Sequence, residues 1–169
     1  MSNSRSVIQR HQFADYLNVS DSETPDFALM GAGFTSLNES PGAQTNTKKY
    51  VNEKTSTSSV TSYETQFPFE SDLIKEQPAI IALYNVGRDH KTGSDAEFEY
   101  VRVELWNPVA TVGEETVQNT YKARKFIVSA EISDISGEDD QVVSGNLNAV
   151  GDPVDGYFNT QTREFTAAA

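Results

Sequence analysis

The 169-residue sequence contains no cysteine, which excludes disulfides, thiolate nucleophiles and metal sites built on sulfur. Histidine is nearly as scarce. His11 and His90 are the only two, and their separation does not give the spacing of a helical metal site. No Gly-x-Ser-x-Gly motif marks a serine nucleophile. We therefore expect both histidines to be exposed, and we expect the protein not to be an enzyme and to use no metal or cofactor.

Long apolar runs are also missing, because no stretch approaches the roughly 18 apolar residues that a membrane-spanning helix needs. The first six residues, Met1 to Ser6, carry no apolar segment typical of a secretion signal. We expect synthesis in the cytoplasm and no association with membranes. Basic residues number 13 against 25 acidic ones, for a formal net charge of −12. This balance disfavours binding to nucleic acids, which proteins grip through Lys and Arg.

One long segment is almost entirely polar. Between Asn38 and Ser59 only Ala43, Tyr50 and Val51 are hydrophobic, so the segment cannot bury enough apolar surface to fold on itself. We interpret residues 38–59 as an extended inter-subunit arm within a single domain, 1–169, ordered by contact with a neighbouring subunit. The arm indicates assembly and not catalysis.

Alternation of apolar and polar residues predicts strands over Phe98–Trp106, Tyr121–Ile132 and Gln141–Val150. The last two are expected to pair, and Gly145 indicates a bulge or a close approach of two backbones. Further strands are predicted over a half-buried segment at Val60–Glu70, a terminal hairpin at 156–160 and 164–166, and two weakly patterned segments at 12–19 and 26–34.

A single substantial helix is predicted to begin near Pro78 and to end at Gly87. Its Ile80, Leu83 and Tyr84 share one side, which we expect to cover a sheet. Six or more strands with one helix predict a mainly β fold. We expect a barrel-like β-sandwich of two packed antiparallel sheets with one flanking α-helix and the long polar arm.

In the order of these elements the chain resembles the major tail tube proteins of long-tailed bacteriophages, in particular those of siphophages with non-contractile tails. The resemblance covers most of the chain, and the order of elements is more specific than any short motif. The residues that carry it are Leu37-Asn38-Glu39-Ser40-Pro41, Lys49-Tyr50-Val51-Asn52-Glu53, Val60-Thr61-Ser62-Tyr63, Phe67-Pro68-Phe69-Glu70-Ser71-Asp72, Tyr84-Asn85-Val86-Gly87, Gly93-Ser94-Asp95-Ala96, Val143-Ser144-Gly145-Asn146-Leu147 and Gly151-Asp152.

The resemblance implies a structural virion protein that forms homohexameric rings, stacked into the hollow tail tube through which DNA passes during ejection. Its partners would be further copies of itself and other tail proteins, such as the tape measure, distal tail and tail terminator proteins. DNA would slide through the lumen without specific binding. The protein would be made in the host bacterial cytoplasm and reside in the tail of the virion.

Two sets of residues follow from this resemblance. The arm would contact an adjacent ring through Lys48, Lys49, Tyr50 and Glu53. Acidic side chains would face the lumen and repel DNA of the same sign, and the candidates are Glu64, Glu70 and Glu131.

Other classes of protein remain as alternatives. A β-sandwich carbohydrate-binding module would need an exposed aromatic platform, for which Trp106 and Tyr100 are the candidates. A small β-rich hydrolase would need converging titratable groups, which no spacing in the chain predicts. A distal tail or tail completion protein would share the fold, and the long arm favours the tube.

Overall fold

Antiparallel strands dominate the computed structural model, which describes residues 6–20 and 22–168. The first five residues, part of the segment predicted to lack a secretion signal, lie outside the described residues. The elements are β1 (Phe13–Asn18), β2 (Phe27–Leu29), β3 (Phe34–Leu37), β4 (Ala43–Lys48), β5 (Thr57–Tyr63), β6 (Gln66–Asp72), α1 (Pro78–Arg88), β7 (Glu97–Pro108), β8 (Thr111–Val112), β9 (Glu115–Thr116), β10 (Thr120–Ser136), β11 (Val142–Ala149), β12 (Val154–Asn159) and β13 (Glu164–Ala167).

Nine strands form one antiparallel sheet in the order β2-β1-β7-β10-β11-β6-β3, with β12 joined to β10 and β13 joined to β12. The 17-residue strand β10 is the centre of this sheet, since it pairs with β7 along one edge and with β12 and then β11 along the other. The remaining strands form two separate hairpins, β4-β5 and β8-β9. The predicted pairing of β10 with β11 and the terminal hairpin are confirmed.

The central strands bury side chains on both of their faces. Neighbouring residues point to opposite sides of a strand, and Leu17 and Tyr100 lie in one apolar core while Tyr16 and Val101 lie in a second. The first core lies under α1, and the second is closed by Phe158 of β12. The expected mainly β, sandwich-like fold with one flanking helix is confirmed.

Helix α1 begins with Pro78 in its first turn, as predicted, and buries Ile80 and Leu83 against the sheet. The predicted end at Gly87 is wrong, because the helix continues to Arg88. A Cβ atom at Gly87 would lie 2.9 Å from Cγ2 of Ile132 in β10. This glycine therefore allows close packing of helix on sheet. No helix in the described residues is long and apolar enough to cross a membrane.

The close approach predicted at Gly145 is confirmed. A Cβ atom there would lie 1.9 Å from the carbonyl oxygen of Glu131, beside a bulge between Ile132 and Asp134. Because the obstacle is backbone, we expect Gly145→Ala to lower the free energy of unfolding by about 1–3 kcal/mol. Urea denaturation measures this loss, and Gly31→Ala serves as the control. The added methyl group of the control would meet only Leu29 side-chain atoms at 3.5 Å or more, so equal effects of the two variants would contradict the prediction.

The prediction of a single half-buried strand over Val60–Glu70 is wrong for the first half of that range. The structure ends β5 at Tyr63 and starts β6 at Gln66, and it buries Phe67 and Phe69 while Thr61 and Tyr63 stay exposed. Only β6 belongs to the main sheet, and β5 leaves it to pair with β4.

Candidate assembly surface

The predicted arm contains a β-hairpin that projects from the main sheet. Strands β4 and β5 pair with each other from Ala43↔Tyr63 to Lys48↔Thr57, and all of their residues are exposed. Backbone pairing orders the segment even though it buries no apolar core. At about 3.3 Å per residue, the six residues of β4 extend the hairpin by about 20 Å.

The tip of the hairpin carries the four residues that the resemblance assigned to ring contacts. Lys48 ends β4, and Lys49 and Tyr50 follow in the connecting loop, where all three are exposed. Glu53 is half-buried and stays within its own loop, because its Oε2 accepts hydrogen bonds from the Tyr50 backbone N–H at 3.4 Å and from the Thr57 hydroxyl at 3.4 Å. Lys48, Lys49 and Tyr50 are therefore free to contact another molecule.

The root of the hairpin is fixed by a glycine and by a ladder of backbone hydrogen bonds. Gly42 has a φ of +63°, and a Cβ atom there would lie 2.2 Å from the carbonyl oxygen of Glu64. The Glu64 N–H donates to the Gly42 carbonyl at 2.9 Å, and Ser40 and Gln66 exchange two hydrogen bonds of 2.8 Å. Only glycine fits this conformation without strain.

A chain of ion pairs ties the root to the centre of the sheet. Glu39, three residues before Gly42, accepts two hydrogen bonds from Arg124 of β10, at 2.6 and 3.1 Å. Its Oε1 also lies 3.5 Å from Nε of Arg102, whose side chain is 7 % exposed. Bidentate, charge-assisted contacts of this kind are geometrically specific, so Glu39 fixes the direction in which the chain leaves the sheet.

The same chain of ion pairs continues to a buried carboxylate. Asp15, 1 % exposed, accepts hydrogen bonds from the Tyr100 hydroxyl, from Arg102 at 3.3 Å and from Arg10 at 2.6 Å. Arg10 also donates to the carbonyl of Leu37 at 3.2 Å, and so links β1 to β3 where these strands do not pair. We name Asp15, Tyr100, Arg102, Glu39, Arg124 and Arg10 the buried charge network.

Burial and the nearby Asp15 carboxylate raise the pKa of the Tyr100 hydroxyl well above its ordinary value. Burial lowers the pKa of the Arg102 guanidinium, but Tyr100, Asp15 and Glu39 together outweigh it, and the net pKa is raised. Tyr100 is therefore a neutral hydrogen-bond donor and Arg102 a permanent cation at neutral pH. Both protonation states match the hydrogen bonds that the two side chains make to Asp15.

A second surface lies on the outward face of β6, β11, β10 and β7. Its exposed carboxylates include Glu70 on β6 and Glu131 and Asp134 on β10. Glu70 lies opposite Ser144 of β11, which lies opposite Asp134, so these two carboxylates are two strands apart. Two strand spacings amount to about 10 Å, which is close to the Debye length at physiological salt. We name Glu70, Asp72, Glu97, Glu131 and Asp134 the acidic face.

The structure brings together two of the three acidic residues predicted to face a lumen. Glu70 and Glu131 belong to the acidic face, whereas Glu64 lies between β5 and β6 at the root of the arm. The exposed aromatic platform that a carbohydrate-binding module would need is absent at the two candidate residues, because Trp106 is exposed but Tyr100 is fully buried. Both histidines are exposed, as predicted.

No protein-family model and no curated protein sequence matches the chain. Among solved structures, the chain is similar to one in the cryo-EM structure of the anti-feeding prophage baseplate, with 9 % identity and a TM-score of 0.48. The match covers 94 % of this chain and 99 % of that one. Similarity at this level supports no argument about function.

The buried charge network was not predicted from the sequence. Arg102 alternates with the buried valines Val101 and Val103, so it could have been taken for a residue of a solvated strand face. Its partners Asp15 and Glu39 lie 87 and 63 positions away in the chain, and only the pairing of β1 with β7 brings Asp15 opposite it. Arg102 is the one basic residue of β7, which also carries three acidic residues, and this pattern does not mark Arg102 as buried.

Proposed function

We propose that this chain is a structural component of a phage tail, and specifically the tube protein that assembles as stacked hexameric rings. The observation that carries the proposal is the projecting β4-β5 hairpin, whose 13 strand residues are all exposed. A two-stranded hairpin is marginally stable in water unless it packs against something. This hairpin is therefore suited to contact a neighbouring subunit, which agrees with the sequence resemblance.

Exposed apolar side chains are concentrated in the β4-β5 hairpin. Of the twelve large apolar side chains that are exposed in the described part of the chain, four belong to the β4-β5 hairpin: Tyr50, Val51, Val60 and Tyr63. Burying them against another subunit would gain the hydrophobic free energy that the isolated chain forgoes, about 25 cal/mol per Å². Covering the hairpin in an assembly would therefore be favourable.

The acidic face supports the second part of the proposal, passage of DNA through the tube. A wall carrying Glu70, Glu131 and Asp134 repels phosphates and offers no lysine or arginine pattern that would bind them. The proposal assigns the lumen to this face, and a lumen position for Glu64 stays a prediction. Non-catalytic function also stays part of the proposal.

Negative-stain electron microscopy of the purified protein, with light scattering over a range of concentrations, tests the proposal. We expect rings or hollow tubes of constant diameter as the concentration rises. Single rings that never stack would favour another tail component, such as a distal tail protein. A monomer at every concentration would contradict self-assembly.

A further inference from the structure

We infer that one face of the β4-β5 hairpin is the docking face for a second copy of this chain and that the opposite face is solvated; this inference rests on the proposed function. In an antiparallel pair, residues directly opposite each other share a face. Ala43 lies opposite Tyr63 and Thr45 opposite Val60. The docking face consists of Ala43, Thr45, Thr47, Ser58, Val60 and Tyr63.

The other face of the hairpin carries only polar side chains. Gln44 lies opposite Ser62, Asn46 opposite Ser59, and Lys48 opposite Thr57. The hairpin is therefore amphipathic even though both of its faces are exposed in the single chain. An apolar face that its own chain leaves uncovered is the part of the hairpin that gains free energy on contact with a partner.

A β-bulge creates this asymmetry. Val60 and Tyr63 are three residues apart, so in a regular strand they would point to opposite faces. The register shifts between Gln44 and Thr45, which leaves Thr61 as an extra residue, and the Thr61 hydroxyl donates to the Gln44 carbonyl at 3.1 Å. The extra residue places Val60 on the same face as Tyr63, because a β-bulge shifts the alternation of faces by one residue along its strand.

Charge identifies a second copy as the occupant. The tip, residues 48–54, carries three lysines and one glutamate, a formal charge of +2, on a chain whose formal net charge is −12. The acidic surface of a second copy therefore attracts the basic tip, whereas it repels the rest of the chain. The arm combines an apolar face with a basic end, and the body of the same chain supplies the complementary charge.

Matched substitutions on adjacent residues test the inference. Val60→Asp and Ser59→Asp place the same carboxylate on opposite faces of one strand, and neither residue is buried in the monomer, so both variants should fold. We expect Val60→Asp to raise the critical concentration for assembly at least tenfold, measured by light scattering, and Ser59→Asp to change it less than threefold. The exchange Ser59→Val with Val60→Ser keeps the composition and should behave like Val60→Asp.

A label that reports contact directly gives a second measurement. Because the chain has no cysteine, Tyr63→Cys and Ser62→Cys each provide a unique site for an environment-sensitive dye. On assembly we expect a blue shift from position 63 and little change from position 62. Equal effects of the paired variants or labels would overturn the inference and leave the proposed function standing. A wild-type chain that stays monomeric at every concentration would overturn both.

Discussion

Replacing the hairpin Ala43–Tyr63 with Asn-Gly is expected to leave a folded domain that no longer forms tubes. The junction suits this change, since the Glu64 N–H already donates to the Gly42 carbonyl at 2.9 Å, which is the hydrogen bond that closes a two-residue turn, and Asn-Gly favours that turn. All strand residues that are lost are exposed. Circular dichroism should show a melting temperature within about 4 °C of the wild type, the shift that about 1 kcal/mol causes in a domain of this size.

The control replaces a different exposed hairpin. Thr111–Thr116 spans β8 and β9, and the Val117 N–H donates to the Ala110 carbonyl at 2.9 Å, so Asn-Gly can close this turn in the same way. We expect this variant to assemble. Tubes of normal diameter from the variant that lacks the arm would contradict a role for the arm in assembly. Equal losses in both variants would show that the effect is not specific to it.

The arm illustrates how far the sequence predicts the structure. Its polar composition correctly indicated that residues 38–59 contribute nothing to the apolar core. Composition did not predict the hairpin, because backbone pairing needs no apolar residues and leaves no trace in the hydrophobic pattern. The bulge at Thr61 was hidden for a related reason: an extra residue changes which side chains share a face without changing which residues are present.

Alternation predicted the long strands well because both strands of the pair β10-β11 place apolar residues at every second position over much of their length. It failed where the sheet is covered on both sides. Tyr100 and Arg102 follow the same alternation as exposed residues would, yet Tyr100 packs under α1 in the first core and Arg102 is held by Asp15 and Glu39. Which of two alternating faces is buried depends on strand order, and strand order is a long-range property.

Removing the central carboxylate of the buried charge network is expected to have the largest effect on stability. Asp15→Ala would leave the Arg102 guanidinium, 7 % exposed, with Glu39 as its remaining ion-pair partner, at 3.5 Å from its Nε. It would also leave the buried Tyr100 hydroxyl without its acceptor. Breaking a buried ion pair on one side costs about 3–5 kcal/mol, a large part of the roughly 5–15 kcal/mol that stabilises a typical domain.

Urea denaturation followed by the fluorescence of Trp106, the one tryptophan of the chain, measures this loss. Arg10→Ala is the comparison, because that side chain is 47 % exposed and its removal leaves Asp15 paired with Arg102. Arg10→Ala should lower the free energy of unfolding by about 1 kcal/mol. Replacing both ions, as Asp15→Leu with Arg102→Met, should recover at least half of the stability lost in Asp15→Ala, because an apolar pair leaves no uncompensated charge. A double variant as unstable as Asp15→Ala would show that the carboxylate stabilises the fold by some means other than compensating Arg102.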